Sequence, residues 1–336
     1  VFVGRSPLRI SFAGGGTDLE EYHNKYDGYS LSGTIDLYTY VVAKQRKDNK
    51  FQGFSPDFES HISPRFHKDI VPLQGHEIVV ACLKELKFAK GFDMFFCSDV
   101  GPGSGLGASS SLTTNLVKVM LEIQKKKWDK NKIAMKAYRI GHDILKWNIG
   151  KQDEFAAAHG GINLYKFTKY NVTVEPILLN ESSRQELQEN SMLFYLGGRK
   201  HSTEVIKDQL KNMKEKKSST LNALHQAKAL ALEMRDALKN NDLTKFVEII
   251  NKGWEEKKKY TKNITNPFID RASKTVLSHG ANALKVTGAG GGGHFYVYAE
   301  PSKHNSIEKS LRKMGIVKVD FKYQNTGATV FNLNNL

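Results

Sequence analysis

The hydrophobic pattern changes period several times along the chain, and each change marks an element. Gly91 to Ser98 (GFDMFFCS) is a short apolar and aromatic block that reads as a buried strand. Leu112, Leu116, Val119, Met120 and Ile123 then recur at helical spacing, so a strand, a glycine stretch and a helix follow one another. Upstream, Leu8 to Phe12 and Tyr38 to Lys44 predict strands, Leu19 to Lys25 a short helix, and Glu77 to Lys87 an amphipathic helix. Downstream, Ile133, Ala137, Ile140 and Ile144 share one face of a helix predicted from Asn131 to Trp147. A short helix from Glu154 to Ala158 and a strand from Ile162 to Phe167 follow. The pattern then breaks over 168–192. Residues 193–263 are predicted to be mostly helical, with Leu224, Ala227, Ala231, Met234 and Leu238 as a core stripe and Thr203 and Asp242 as N-caps. A strand beginning at Phe295 and an alternating run at Val317, Val319, Phe321 and Tyr323 close the chain. This mixture predicts an α+β fold in two domains, 1–180 and 181–336.

Composition narrows the class. In 336 residues there is no run of eighteen apolar positions, so no transmembrane helix and no membrane partner is expected. Cys82 and Cys97 form no CxxC pair and the N-terminus lacks a signal-peptide pattern, which points to the cytoplasm. The formal net charge of +15 suits an anionic partner. Its lysines, however, sit in short clusters such as 125–127, 214–217 and 257–259 near predicted helix ends, where the dipole favours cations. No nucleic-acid motif accompanies them, so the clusters read first as solvated faces and nucleic acid is not the expected partner; the charge equally suits an enzyme with phosphorylated substrates.

Candidate chemistry concentrates in glycine-rich turns. Gly101, Gly103, Gly105 and Gly107, with Pro102, Ser104, Leu106 and Ala108, lead into Ser109, Ser110 and Ser111 at a predicted helix start. Glycines let backbone approach a ligand, and the free N–H groups of a helix start suit a phosphate. The loop lacks the lysine of a Walker A loop, and a hydroxyl beside a phosphate can bind Mg2+. The plain alternative is a turn with a serine cap. A second turn, Ala13 to Leu19, holds three consecutive glycines, then Thr17 and Asp18; Asp18 alone reads equally as a helix cap. Asp153, in GKQDE, is either a cleft carboxylate or the N-cap of its short helix. Arg199, beside Lys200, His201 and Ser202, can hold a phosphate or be an ordinary basic loop. Gly290 to Gly293 lie in KVTGAGGGGH. Four glycines cost chain entropy, which favours a ligand near the backbone over a bulged hairpin turn.

These three turns, in this order, resemble the three motifs of the GHMP kinase superfamily. RSPLRISFAGGGTDL and GKQDEFAAAHGG look most like its D-glycero-D-manno-heptose 7-phosphate kinase branch. The resemblance implies the two-domain GHMP kinase fold, with the active site in the interdomain cleft. It implies an ATP- and Mg2+-dependent sugar kinase, with ATP's phosphates along Gly101 to Ser110 and Mg2+ on Ser109. Asp153 would be the catalytic base and Arg9 would stabilise charge beside it. Thr17, Asp18, Gly160, Gly161, Gly290 and Gly291 would approach the sugar, and Arg199 its phosphate. An unphosphorylated sugar such as fucose or galactose, or a non-catalytic basic binding protein on a kinase fold, are the alternatives. Three departures stand out: Gly15 and Gly16 replace a Glu-His pair, His294 replaces an aromatic, and Gly141 stands where many relatives carry a Mg2+-binding glutamate. Without that glutamate, Mg2+ is expected to rest on Ser109, phosphate oxygens and water. Oligomeric state is not indicated.

Overall fold

In this computed structural model residues 1–197, 202–215 and 217–333 are described. The N-terminal part runs β1 (Phe2–Ala13), α1 (Glu20–Tyr26), β2 (Gly28–Gln45), β3 (Lys50–Ser55), β4 (Ser60–Phe66), α2 (Glu77–Glu85), β5 (Phe92–Ser98) and α3 (Ala108–Ile123). It continues through α4 (Lys130–Arg139), α5 (Gln152–His159), β6 (Ile162–Phe167), β7 (Val172–Pro176) and α6 (Glu181–Asn190). Then come β8 (Ser191–Tyr195), α7 (Ser202–Lys214), α8 (Ser218–Lys239), α9 (Leu243–Lys258) and α10 (Pro267–Ser278). The chain closes with β9 (Ala283–Val286), β10 (His294–Tyr298), α11 (Pro301–Arg312), β11 (Val317–Val319) and β12 (Thr329–Asn332).

Two sheets organise the molecule. The larger has eight strands in the path β12-β1-β2-β5-β3-β4, with β6 on the first half of β2 and β7 beyond it. The long β2 can serve both neighbours because its two halves pair separately: Gly28 to Gly33 with β6, and Thr39 to Gln45 with β5. The smaller sheet is β11-β8-β10-β9, all antiparallel. Its strands come from residues 191–319, whereas β12 returns to pair with β1 in the larger sheet.

The cores follow the apolar stripes. On α3, Leu116, Val119, Met120 and Ile123 bury against Val41, Phe92, Met94 and Phe96 of the sheet. The α8 stripe of Ala231, Met234 and Leu238 packs with Leu8, Ile10 and Phe12 of β1 and Tyr296 of β10, so this core joins elements of both sheets. Burial of such side chains contributes roughly 1.5–3 kcal/mol each.

Several expected elements differ. The strand expected at Tyr38 to Lys44 is the second half of an 18-residue strand, whose polar first half alternates too weakly to read. The single helix expected from Asn131 to Trp147 ends as α-helix at Arg139 and continues as a π turn over Ile140–Ile144, with Leu145 N–H bonding the Ile140 carbonyl at 3.0 Å. The run at 317–323 is a strand only to Val319; Tyr323 makes an isolated bridge to Ile35. Residues 168–192 also contain α6, capped by Asn180, which the polar stretch concealed. Asp242 caps α9 as expected, accepting from Lys245 N–H at 2.8 Å. The side chain of Thr203 lies outside the described residues.

Candidate active site

The candidate residues of the first half meet at the start of α5. Arg9, on β1, is buried and points its planar guanidinium at Asp153. Nε donates to Asp153 Oδ1 and Nη2 to Oδ2, both at 2.7 Å, a bidentate pairing that fixes both groups. The remaining Nη1 donates to the Gly105 carbonyl at 2.8 Å, and Arg9 N–H bonds the Leu106 carbonyl at 3.0 Å. One side chain thus ties the central glycine loop to the candidate base. Gly107 completes the contact: a Cβ there would lie 3.1 Å from Asp153 Oδ2, and its φ of +79° also favours glycine.

Asp153 does not cap its helix. It lies in the first turn of α5, whose N-cap residue is Lys151, with no side-chain cap bond. The carboxylate at that helix start is Asp18. It accepts from Gln152 N–H at 3.2 Å and Gly16 N–H at 3.0 Å, so it serves α5 rather than capping α1. This explains Gly150 in GKQD, because a Cβ there would fall 1.9 Å from Asp18 Oδ2. Burial first, and then the neighbouring Asp153 charge, raise the Asp18 pKa above its ordinary value.

Arg9, Gly14, Gly15, Gly16, Asp18, Gln152 and Asp153 line one cavity, opposite Lys257, Tyr260, Lys285, Gly288 and Ala289. Its two walls come from the larger sheet and from the α9 and β9 region. Three wall residues carry no role in the sequence reading. Gln152 accepts from Ser11 Oγ at 2.9 Å and steadies Asp153. Tyr260 donates to the Gly15 carbonyl at 3.1 Å. Lys285 donates to the Phe12 carbonyl at 2.6 Å; burial, and secondarily Arg9, lower its pKa to about 7. The lysine of KVTGAG was the only signal for it, since buried cations have no periodicity of their own.

The other expected residues are placed differently. Thr17 is buried, and its hydroxyl meets the Gly14 and Tyr29 carbonyls at 2.8 Å, holding the first glycine turn in shape. Gly160 and Gly161 pack against residues 324–327, and Gly161 N–H bonds the Gln324 carbonyl at 3.0 Å. The third turn is the β9–β10 hairpin connection. Gly288 and Ala289 form cavity wall, while Gly290 and Gly291 face Ile264 and Asn263. Arg199, Lys200 and His201 lie outside the described residues. His294 is buried, and both its N–H and its ring Nδ1 reach the Ser104 carbonyl, at 3.0 and 2.8 Å. A carbonyl only accepts, so Nδ1 carries a proton and the histidine locks the central loop to β10.

The three serines divide the work at α3. Ser109 is exposed; Ser110 is buried; Ser111 bonds the Ser6 carbonyl at 3.0 Å and Thr39 Oγ1 at 3.1 Å, pinning α3 to β1 and β2. Among the described residues no three His, Cys, Asp or Glu are grouped to hold a metal by themselves. Glu154, on α5, is buried and its Oε2 has no hydrogen-bond partner. Gly141 is buried, and a Cβ there would lie 2.7 Å from Ile149 Cδ1. Asp143 pairs with His142 at 2.8 Å and faces a separate pocket with Glu20, Tyr138 and Lys151. The π turn therefore does not bring Asp143 to the Arg9–Asp153 cavity. No helix among the described residues is long and apolar enough to cross a membrane.

Residues 76–161 match the GHMP kinases N terminal domain and residues 234–317 the GHMP kinases C terminal domain. D-glycero-alpha-D-manno-heptose 7-phosphate kinase of Campylobacter jejuni is 31% identical over 332 residues, covering 96% of each chain. L-fucokinase/L-fucose-1-P guanylyltransferase of Bacteroides fragilis is 27% identical, over 92% of this chain and 36% of that one. The crystal structure of a D-glycero-D-manno-heptose 1-phosphate kinase from Bacteriodes thetaiotaomicron superposes with a TM-score of 0.83 at 25% identity, covering 99% of both chains. The chain belongs to the GHMP kinase family, and it is a kinase.

Proposed function

We propose that this kinase transfers the γ-phosphoryl group of ATP to a sugar hydroxyl, and that the acceptor is the C1 hydroxyl of D-glycero-D-manno-heptose 7-phosphate. The observation that carries the chemistry is the bidentate Arg9–Asp153 pair at the mouth of the Gly105 loop. In this reading the phosphates run along Gly101 to Ser110, at the N-terminus of a 16-residue helix. Asp153 accepts the proton of the attacking hydroxyl. Arg9 holds that carboxylate in place and meets negative charge on the transferring group; positioning and charge stabilisation are the main demands of phosphoryl transfer. Mg2+, when bound, would neutralise phosphate charge, with Ser109 in reach as a ligand. Asp18 and the 14–16 turn shape the sugar pocket. Arg199 is retained as the candidate for the 7-phosphate, and the division near residue 180 as the boundary between the halves that form the cleft.

The acceptor follows from the heptose 7-phosphate kinase relative, which matches along nearly its whole length. The test is ATP turnover over a panel holding heptose 7-phosphate, heptose, fucose, galactose and mevalonate. Turnover strongly preferring heptose 7-phosphate is expected. Preference for free fucose or galactose would move the acceptor to an unphosphorylated sugar, and no turnover with any of them would remove the sugar-kinase reading.

A further inference from the structure

Lys151 stands at the start of the helix that carries Asp153 but belongs to a different recess. Gly150, Gln152 and Asp153 line the Arg9 cavity, whereas Lys151 lines a second recess of about 260 Å3 with Glu20, Tyr138, Arg139, Asp143 and Lys169. Lys151 is only 5% exposed. Its Nζ lies 3.6 Å from Glu20 Oε1, beyond hydrogen-bond length, and 5.2 Å from the centre of the Tyr138 ring. The Tyr138 hydroxyl is buried as well, without a hydrogen-bond partner. Glu20 is the strongest charge acting on both groups, so one carboxylate serves two buried donors. Arg139, exposed at the end of α4, has no side-chain hydrogen bond or ion pair among the described residues. Burial lowers the Lys151 pKa first; Glu20 opposes this and Arg139 adds to it.

Three cations therefore face two carboxylates, and one of those, Asp143, is held by His142 at 2.8 Å. A buried ammonium with unmade hydrogen bonds is costly unless an anion or water answers it. The recess is just smaller than the usual small-molecule pocket, so it suits a compact group. A tetrahedral dianion would offer acceptor oxygens to Lys151 and Tyr138 at the floor and to Arg139 and Lys169 at the rim. We propose that this recess is a phosphate-binding site, taking inorganic phosphate or a small phosphate monoester, separate from the Arg9–Asp153 cavity. Binding there bears on that cavity through the backbone. Lys151 is the N-cap residue of α5; its N–H bonds the Asp18 carbonyl at 3.3 Å, and its own carbonyl accepts from Phe155 N–H at 3.4 Å. An anion that anchors the Lys151 side chain would steady the helix start where Asp18 and Asp153 sit. The site does not depend on the kinase reading.

Inorganic phosphate and glucose 6-phosphate are the probes, titrated calorimetrically into the full chain. The decisive variant is the double change Arg139→Gln with Lys169→Gln, because both side chains are exposed and neither lines the Arg9 cavity. The expected result is binding to the parent and a loss of affinity in the variant of about ten- to a hundred-fold, the weight of a charge-assisted hydrogen bond. The phosphate-free melting temperature should hold. Lys151→Met should lose binding altogether; if that variant melts lower, the rim variant still decides. Hydrogen exchange over 151–155 should slow when phosphate binds the parent and stay unchanged in the rim variant. The tighter of the two probes shows whether the site takes the free anion or an ester. Parent-level affinity in the rim variant would overturn the assignment, because the anion would then sit elsewhere. Failure of both probes to bind the parent at millimolar concentration would also overturn it. Binding lost in the rim variant but with exchange over 151–155 unmoved in the parent would keep the site and overturn its link to α5.

Discussion

Gly101 of the central loop and Gly290 of the third loop use the missing side chain for opposite purposes. In the central loop, Gly101 is exposed, has no atom within 4 Å of where a Cβ would be, and does not adopt positive φ. Nothing in the protein requires glycine there, so the space is available to something bound. In the third loop, Gly290 has φ +99° and would place a Cβ 2.9 Å from the Ile264 carbonyl oxygen. Gly291 N–H bonds that carbonyl at 2.8 Å, and Gly293 bonds both Gly197 and Leu196. There the glycines admit protein backbone. Chain entropy spent on glycine therefore marks a close approach, but the partner can be the molecule itself.

The largest expected effect lies where the central loop meets α5. Asp153→Asn should lower turnover about 100- to 10,000-fold, the usual weight of a general base, with ADP binding kept. Activity within a few-fold of the parent, measured under saturating substrates, would detach the Arg9–Asp153 pair from the chemistry. The next contrast separates the loops. Gly290→Ala should cost about 2–5 kcal/mol of stability from backbone strain and overlap, read by urea melts. Gly101→Ala should leave the melt unchanged and raise the Michaelis constant for ATP a few-fold. If the two variants exchange these outcomes, the division of labour between the loops is wrong.

A smaller effect sharpens the cavity wall. Lys285 titrates near 7 in the fold against an ordinary 10.5, so between those values the unfolded chain holds a proton that the folded one has shed. Stability from this residue therefore rises with pH over that window. Lys285→Met removes the burden, so its melting temperature should exceed the parent's near pH 7 by a few degrees, and the gap should close toward pH 10. A gap constant across pH would show that burial of the charge is not what the lysine costs.

Much of this was legible from residues alone. The strand, glycine loop and helix around residue 100 declare themselves by a change of period, and β5 and α3 fall where that change predicts. Arg9, Asp18 and Asp153 were nameable through the resemblance to the GHMP kinase motifs, since each alone reads equally as an ordinary structural residue. Their bonding was not: the carboxylate at the start of α5 is Asp18, from 134 residues away, rather than Asp153. Periodicity cannot see such a contact, nor the π turn at Ile140, after which Ile144 leaves the buried face it was expected to share with Ile133, Ala137 and Ile140 and is exposed. For Gly290 and Gly291 the glycines record that something must come close and not what, and on one side of each that something is Ile264 or Asn263. Lys285 and Glu154 were hidden because a buried charge looks like any surface charge in a string of letters.

Phosphoryl transfer to the anomeric hydroxyl of a heptose 7-phosphate would leave a product with its own phosphorus signature. Phosphorus NMR of the product formed from ATP and that sugar tests it directly. ADP and a bisphosphate are expected in one-to-one yield, with the new phosphorus resonance coupled to the anomeric proton. A new phosphate coupled to any other sugar proton, or ADP released with inorganic phosphate alone, would contradict it.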